Sequence, residues 1–369
     1  MKIAFIKQKY VEFGGGEAYV AGLMSLCAQQ GHEVHLIASH WQGEDQNIEF
    51  HRVGINKLSR KTRVHSFADS VKRCVDANSF DCTFSLERTI SQDIWRGGDG
   101  LYPTWLQRRR LFEPWYKNLF NKYSSDQAAV ITMEERCVTA TEHLIANSEM
   151  VKNDLQEAYP NLTSEIHVIH NGFDPLRFST LNRDINRRRL RQQFSIAPEQ
   201  ALIGFVGSGW LRKGLPELMQ ALALLPEVKL LVAGRDNIKK LEKMAYQYKV
   251  SDRVILAGGV TDVASLYQAL DLTVLPTWFD SFGFVGLESI ACGTPYVTTV
   301  WAGSHEAIQP GINGYVVSRP DATEELADAI RRGLRLNNVT LIANSVANWT
   351  FENNMKKTFK VISKTVGSA

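Results

Sequence analysis

The sequence predicts an α/β protein built from two doubly wound domains, in which helices cover both faces of a parallel sheet. Three observations predict this class. Short buried strands alternate with apolar-periodic helices in both halves of the chain, and a glycine turn follows the first strand of each half. The length of 369 residues suits two domains of about 150 residues or more. With 44% hydrophobic and 22% charged residues, the composition excludes disorder as the main state.

The first half opens with a strand, a glycine turn and a helix. Residues 3–6 are apolar and predict a buried strand, the turn covers 13–17, and apolar residues at helical spacing follow from 18 to 28. Gly31 and His32 end that helix, and residues 33–38 read as the next strand. This succession is the repeating βα unit of a doubly wound sheet.

The second half repeats the pattern. Residues 201–207 predict a buried strand that ends in a glycine turn, and a helix is predicted over 214–225. Further short strands are predicted at 230–234, 254–259, 272–276 and 295–299. The carboxyl ends of the two sheets are expected to face one central cleft, where ligands bind in such folds.

Domain boundaries are predicted around a strand and turn near the middle of the chain. The first domain is placed at 1–172 and the second at 173–349, with a hinge near 171–178. A C-terminal helix over 350–369 is expected to pack back on the first domain. The basic stretch 183–191 is interpreted as the solvated face of one helix.

Bulk charge and cysteine content exclude several classes of protein. The 42 basic and 39 acidic side chains leave a formal charge of +3, too small to indicate a nucleic-acid binder. No apolar run approaches the about 20 residues of a membrane span. The five cysteines are widely spaced without a zinc-type pattern, and we expect buried, reduced thiols in a cytoplasmic chain.

The turn after the second domain's first strand carries two adjacent cations, Arg212 and Lys213, before a predicted helix. Cations at a helix N-terminus oppose the helix dipole, so an anion is expected beside them. A diphosphate would satisfy both the side chains and the exposed backbone N–H groups. A solvated pair of cations is the alternative.

Two acids follow a later strand. Asp280 lies in the loop, Gly283 allows close backbone approach, and Glu288 lies within an otherwise apolar helix. Carboxylates that accept hydrogen bonds from vicinal hydroxyls of a sugar and a ribose would justify the burial of two acids. The alternative is an ordinary loop acid and a helix-dipole partner.

Together these stretches resemble the retaining GT-B enzymes of glycosyltransferase family 4 over nearly the whole chain. The matching motifs are Gly14-Gly15-Gly16-Glu17, Asn147-Ser148, Asn171-Gly172-Phe173-Asp174, the turn 207–214, and the acid pair Asp280 and Glu288. Two positions depart from the family pattern, because Ser208 replaces its arginine and Asp280 shortens its first glutamate.

The resemblance implies roles for individual residues. Asp99, Lys213 and Asp280 would lie at the reacting centre. The donor nucleotide-sugar would be held by Gly15, Gly16, Ser208, Arg212, Lys213, Val260, Asp280, Ser281, Phe282, Gly283, Phe284 and Glu288.

Within the family, residues 93–106 are most similar to lipopolysaccharide core glycosyltransferases, with Asp99 as the expected reactive-site acid near Tyr102. Residues 106–123 mix basic and aromatic side chains, which suits contact with anionic lipid or a phosphorylated acceptor. An ordinary amphipathic helix is the alternative. The residues expected at this membrane or acceptor surface are Arg108, Arg109, Arg110, Trp115 and Lys117.

The resemblance therefore implies a retaining, metal-independent transferase at the inner face of the cytoplasmic membrane. It would move a hexose from a nucleotide diphosphate sugar to a lipid-linked glycan such as a lipopolysaccharide core. Glucose is the first candidate for the hexose, and UDP is the first candidate for the nucleotide. No cofactor is expected, because no D-x-D-type acid pair indicates a metal at the diphosphate. The alternatives are a non-catalytic sugar-nucleotide-binding scaffold at the membrane and a GT-B epimerase or phosphorylase.

Overall fold

The computed structural model describes residues 1–10, 15–42, 47–113 and 124–367. The strands are β1 (Lys2–Ile6), β2 (Lys9–Tyr10), β3 (Glu33–Ala38), β4 (His40–Trp41), β5 (Ile48–Arg52), β6 (Cys82–Ser85), β7 (Ile94–Arg96), β8 (His143–Ala146), β9 (Glu165–Val168), β10 (Leu202–Val206), β11 (Lys229–Ala233), β12 (Val254–Gly258), β13 (Leu272–Leu275), β14 (Tyr296–Thr299) and β15 (Gly314–Val317).

The α-helices lie between these strands and after the last one. They are α1 (Gly15–Gln29), α2 (Arg60–Asp76), α3 (Tyr102–Phe112), α4 (Ser125–Ala140), α5 (Glu149–Ala158), α6 (Arg183–Gln193), α7 (Leu215–Ala223), α8 (Ile238–Gln247), α9 (Val263–Ala269), α10 (Phe284–Ala291), α11 (Thr323–Gly333), α12 (Val339–Asn344) and α13 (Phe351–Gly367).

The chain divides into two compact units. Unit 1 contains the described residues of Met1–Leu106, Tyr116–His170 and Glu352–Ala369, and unit 2 those of Gln107–Trp115 and Asn171–Phe351. The predicted domain limits, 1–172 and 173–349, stay a prediction.

Unit 1 is built on a parallel sheet of seven strands in the order β5-β3-β1-β6-β7-β8-β9. Its interior strand β1 is buried from its second residue onward, as a parallel strand covered on both faces should be. Most of α13 belongs to this unit, where Thr358 shares a hydrogen bond of 2.8 Å with the Tyr19 hydroxyl. Lys364 of the same helix donates to Glu165 at 2.6 and 2.8 Å.

Unit 2 is built on a parallel sheet of six strands in the order β12-β11-β10-β13-β14-β15. Its first strand, β10, has β11 on one side and β13 on the other. The strand order therefore reverses between β10 and β13, and such a point opens a crevice at the carboxyl ends of the two strands. The loops that follow β10 and β13 contain the candidate residues of this unit.

The predicted strands match the observed ones to within one or two residues at each end. One local prediction is wrong, because Gly15 and Gly16 are the first two residues of α1, whereas the sequence placed them in a turn over 13–17. The helix predicted over 214–225 is confirmed and covers Leu215–Ala223, with Gly214 as its N-cap in a left-handed conformation.

The basic helix α6 is not simply a solvated face, as the sequence had indicated. Arg191 is buried and donates to the Asp271 carboxylate at 2.7 Å, and Arg187 donates to the same carboxylate at 2.6 Å. Arg183 donates to the Cys292 carbonyl oxygen at 2.8 Å. These arginine side chains are directed inward because Asp271 and several carbonyl oxygens accept hydrogen bonds from their guanidinium groups.

All five cysteines are free thiols. Cys27, Cys82, Cys137 and Cys292 are buried, as expected, while Cys74 is half-buried. Within residues 1–10, 15–42, 47–113 and 124–367, no helix combines the length and the apolar character that a membrane span requires.

Candidate functional site

The turn after β10 brings two cations to the carboxyl end of the unit 2 sheet. Its geometry depends on Gly214, which has a φ of +77° and no room for a Cβ atom against the Pro276 carbonyl. A residue with a side chain would be strained there by both backbone and contact. The turn can therefore pack directly on the residues that follow β13, and this packing brings Lys213 to Asp280.

Lys213 and Asp280 form a largely buried ion pair. The Lys213 Nζ donates to the Asp280 Oδ2 at 3.0 Å, and the two side chains are 11% and 18% exposed. The Arg212 guanidinium lies 3.6 Å from the same Oδ2 and donates to the Phe279 carbonyl oxygen at 2.7 Å. Burial by itself would raise the pKa of Asp280, but the charges of Lys213 and Arg212 outweigh it and lower that pKa.

The second acid, Glu288, lies on α10, whose N-terminus is set by Gly283 at a φ of +83°. The fully buried Tyr267 donates its hydroxyl to Glu288 Oε2 at 2.9 Å. Burial raises the pKa of Glu288, although the Tyr267 hydrogen bond and the charges of Arg177 and Lys213 act in the opposite direction. Lys213 thus interacts electrostatically with both acids, which places them around one cation.

The backbone of the turn is already occupied by an acid that the sequence reasoning overlooked. Asp236 Oδ2 accepts from the backbone N–H groups of Gly209 at 2.6 Å and Trp210 at 3.1 Å. A carboxylate of the chain thus satisfies these two turn N–H groups, and binding of a diphosphate at the N-terminus of α7 stays a prediction. The cations also have an internal partner in Asp280, so their position by itself does not demand a bound anion.

Ser208, which stands in place of the family's arginine, has a local partner. Its Oγ accepts from the backbone N–H of Arg235 at 3.0 Å. The Arg235 side chain lies beside Gly259, one residue before Val260, which is a predicted donor-binding residue. Arg235 is exposed and is a second residue that sequence reasoning missed. Its position just after β11, at the same edge of the sheet as the turn, is the signal that could have found it.

The remaining predicted donor residues differ in how far they are open to solvent. Phe282 is 1% exposed and packs in the core, and Phe284 is 37% exposed, with its ring centroid 5.9 Å from that of Phe282. Ser281 and Val260 are half-buried in loops that follow β13 and β12. The Phe282 side chain is therefore a support for this loop, and only backbone atoms at that position could contact a ligand.

The predicted residues of unit 1 lie on different elements. Asp99 is exposed in a turn after β7, and Tyr102 begins α3 with its backbone N–H donating to Glu134 at 3.0 and 3.1 Å. Gly15 and Gly16 lie at the start of α1. Trp115 and Lys117 fall outside the described residues.

The arginines predicted at a membrane or acceptor surface have partners within the chain. The Arg108 guanidinium lies 5.5 Å from the Phe279 ring centroid and 5.3 Å from that of Trp301. Arg109 forms an ion pair of 2.8 Å with Glu113, four residues later on the chain. Since Arg108 is held over aromatic rings of unit 2, it supports the alternative of an ordinary packed helix at that residue.

Side chains spaced closely enough to hold a metal ion occur away from Lys213 and Asp280. Among the described residues, the two groups with this spacing are His35, Glu49 and His51, and His143, Glu165 and His167, all in unit 1. Neither contains Asp280 or Glu288.

Comparison with known proteins defines the class to which this fold and site belong. The family described as Glycosyl transferases group 1 matches residues 186–345, and Glycosyltransferase Family 4 matches residues 13–177. The chain belongs to these glycosyltransferases, as the sequence resemblance implied.

Among individual proteins, the chain is 25% identical to the lipopolysaccharide glucosyltransferase WaaG of Escherichia coli over 340 residues, which cover 90% of each protein. A crystal structure of WaaG, described as involved in lipopolysaccharide biosynthesis, matches with a TM-score of 0.79 and 23% identity over 98% of this chain and 99% of the other. HepE of Anabaena, solved with UDP-glucose, matches with a TM-score of 0.70 and 19% identity over 99% and 100%. The predicted α/β fold of GT-B type is thereby confirmed.

Proposed function

We propose that this glycosyltransferase moves a hexose, with glucose as the first candidate, from UDP to a hydroxyl group of a lipopolysaccharide core or a similar lipid-linked glycan. The observation that carries the proposal is the Lys213–Asp280 ion pair beside Glu288, at the carboxyl ends of β10 and β13. Two relatives support the donor and the acceptor. HepE was solved with UDP-glucose, and WaaG is named a lipopolysaccharide glucosyltransferase.

Lys213 is suited to receive the charge of the departing nucleoside diphosphate. An ammonium group can donate three hydrogen bonds, and among the described residues Lys213 has one, to Asp280. Two donors are therefore left for phosphate oxygens. A fixed cation in a partly desolvated site stabilises negative charge that develops on the leaving group.

Asp280 has two roles in this proposal. It holds the Lys213 ammonium in place, and its lowered pKa keeps it an acceptor for donor-sugar hydroxyls at neutral pH. Glu288 would accept from the ribose hydroxyls with the oxygen that Tyr267 leaves open. The hydroxyl of Tyr267 fixes the direction of that carboxylate, because the phenol is fully buried and cannot turn toward water.

We further propose that transfer retains the configuration at the anomeric carbon and requires no metal ion. The bond from that carbon to the diphosphate breaks and a bond to the acceptor oxygen forms on the same face, while the acceptor proton leaves toward the departing phosphate. Lys213 and Arg212 supply the positive charge at the diphosphate. Proton NMR of the product tests retention, and turnover after brief chelation of metals tests metal independence.

The activity is tested by mixing the purified chain with UDP-glucose, with and without a lipopolysaccharide-core acceptor, and measuring the release of UDP. We expect release that depends on the acceptor and falls strongly in Lys213→Ala and Glu288→Ala. Lys240→Ala changes an exposed lysine of the same unit and is the matched control. Unchanged turnover in both site variants would remove these residues from the site. A thermal-shift panel of UDP, GDP and ADP sugars identifies the nucleotide.

A peripheral site at the inner face of the cytoplasmic membrane is proposed for the enzyme. It rests on the basic and aromatic composition of residues 106–123, of which 114–123 are outside the described residues. Co-sedimentation with vesicles of acidic or neutral lipid tests it, using wild type and a variant with Arg108, Arg109 and Arg110 changed to Ser. Equal sedimentation of both proteins with acidic vesicles contradicts the proposal.

A non-catalytic scaffold is the second candidate. It is favoured by Ser208 in place of the family's arginine and by Asp236 on the turn N–H groups. Binding of a nucleotide-sugar without UDP release, with any donor and acceptor, would support the scaffold over the transferase.

A further inference from the structure

The edge of the unit 1 sheet brings together two histidines and two glutamates that the proposed transfer does not use. His35 on β3 and His51 on the edge strand β5 approach each other, with 2.9 Å between the Nδ1 of His35 and the Nε2 of His51. Glu49 of β5 lies 3.6 Å from both nitrogens, through one carboxylate oxygen to each. In the strand register, Glu49 is directly opposite His35.

These separations suit a tetrahedral metal ion. Zinc binds imidazole nitrogen at about 2.0–2.1 Å and carboxylate oxygen at about 2.0–2.2 Å, so tetrahedral ligand atoms lie about 3.3 Å apart. The 2.9 Å between the two nitrogens is slightly below that value, and the 3.6 Å from each nitrogen to one of the two Glu49 oxygens is slightly above it. Because a different Glu49 oxygen faces each nitrogen, the carboxylate binds the ion through both oxygens or turns to offer one of them. Two imidazoles and one carboxylate are also a known zinc ligand set, with the fourth position left for water.

A second carboxylate orients the first histidine. Glu33 Oε1 lies 3.0 Å from the Nε2 of His35. A carboxylate can only accept, so the Nε2 of His35 donates, and the Nδ1 of the neutral ring carries a lone pair toward His51 and Glu49. Lys2 lies 3.3 Å from the same Glu33 oxygen and holds it. A carboxylate behind a histidine in this way is the usual outer partner of a metal-bound imidazole.

The site is buried on one side and open on the other. His35 is 2% exposed and His51 is 16% exposed, while Glu49 is 62% exposed, so an ion can enter past the carboxylate.

The opposite edge of the same sheet offers an internal comparison. His143, Glu165 and His167 repeat the arrangement on β8 and β9, with 3.3 Å between the histidine nitrogens and 3.5 and 3.7 Å to Glu165 Oε2. Here, however, the Lys364 ammonium lies 2.6 Å from that same Oε2. A cation already occupies the carboxylate of this group, and a metal ion would have to displace it.

We propose that His35, Glu49 and His51 bind one divalent transition-metal ion of the zinc class, with Glu33 as the outer partner of His35. The ion fastens the edge strand β5 to β3. The group of His143, Glu165 and His167 stays unoccupied because Lys364 neutralises Glu165. The proposal does not rest on the transferase activity, since the site and the Lys213–Asp280 pair belong to different units.

The test uses the purified, metal-stripped chain without a histidine tag. Zn²⁺ is added alone, and bound zinc is counted after dialysis. Co²⁺ is added in parallel, because its visible absorption reports tetrahedral coordination. The variants are His51→Gln and Glu49→Gln at the proposed site and Glu33→Gln behind it, with His167→Gln as the matched control in the other group. Circular dichroism of each metal-free variant checks that it is folded.

We expect one zinc ion per chain in the wild type and in His167→Gln, and none in His51→Gln. Glu33→Gln should bind about tenfold more weakly or worse, which is the usual cost of an outer partner. The Glu49→Gln change, at an exposed side chain, keeps the test valid if His51→Gln fails to fold. No bound zinc in the wild type, unchanged binding in Glu49→Gln, or loss in His167→Gln would each overturn the proposal.

Discussion

The two units each contain an ion pair that is largely removed from water, and the two pairs differ in how completely they are satisfied. In unit 1, Glu134 is fully buried and accepts from Arg88 Nε at 2.7 Å, the Tyr102 backbone N–H and the Tyr159 hydroxyl at 3.4 Å. In unit 2, the Lys213–Asp280 pair keeps 11% and 18% of its side chains exposed. Among the described residues, the Lys213 ammonium has one hydrogen bond.

The difference separates a structural pair from a candidate binding pair. The acceptor capacity of Glu134 is filled by groups from three other segments, so the pair can only hold those segments together. Lys213 retains donors that no described group uses, and it lies where ligands bind in doubly wound sheets. Unfilled hydrogen-bonding capacity in a nearly buried charge is therefore the property that distinguishes the unit 2 pair.

The largest expected effect is on stability, in unit 1. Glu134→Ala leaves the Arg88 charge without its carboxylate and frees the Tyr102 N–H, so we expect a loss of about 3–5 kcal/mol in the free energy of unfolding. Denaturant-induced unfolding measures it. Glu135→Ala, at the exposed neighbouring residue, should change stability by about 0.5 kcal/mol or less. Equal effects of the two variants would show that the buried pair has no special role.

The next effect is on activity, in unit 2. Lys213→Ala should lower kcat by about 100-fold or more, because one fixed donor to a developing charge contributes about 2.7–4 kcal/mol. Its effect on unfolding should be smaller than that of Glu134→Ala, since Arg212 remains 3.6 Å from Asp280. Steady-state release of UDP measures the change in kcat, and denaturant-induced unfolding measures the change in stability. A variant that unfolds early but retains its kcat would reverse the comparison between the two pairs.

A smaller effect is expected at the second acid. Tyr267→Phe removes the hydroxyl that orients Glu288, and a hydrogen bond to a charged group contributes about 1.5–3 kcal/mol. We expect a higher KM for the donor and a further rise in the pKa of Glu288, because that hydrogen bond lowers it. Tyr246→Phe, at an 81% exposed tyrosine, is the control. Identical KM values in the two variants would show that Glu288 does not take part in donor binding.

The smallest effect concerns pH, and its sign differs between the two acids of unit 2. Lys213 and Arg212 lower the pKa of Asp280, so its stabilising contribution is present above its ordinary pKa of 3.8 and is lost as the pH falls through the lowered value. Burial raises the pKa of Glu288 above 4.5, so stability declines as the pH rises through that raised value. Asp280→Asn should reduce the loss of stability at low pH, and Glu288→Gln should remove the decline in stability as the pH rises. Unfolding midpoints between about pH 2 and pH 7 measure both, and matching profiles in the two variants would contradict the assignment.

The sequence predicted the strands well because their apolar runs are long enough to be buried on both faces of a parallel sheet. It also selected Lys213, Asp280 and Glu288 as candidates, since each follows such a strand within a recognisable motif; the structure brings the three together, and their role in donor binding stays a prediction. It was wrong about α6, and it did not predict the carboxylate that accepts from the turn N–H groups. Both contacts join residues that are distant in the sequence. Asp271 is 80 residues from Arg191, and Asp236 is 27 residues from Gly209.

The amino-acid sequence by itself thus determined the two parallel sheets, the family and the residue types at the ends of β10 and β13. Periodic burial and local turn chemistry are short-range properties, and they can be read from neighbouring residues. Only the tertiary structure determined which polar and charged side chains pair with each other. Pairing of Lys213 with Asp280, of Glu288 with Tyr267 and of His35 with His51 depends on strand order and register, which bring distant segments to within 3 Å of each other.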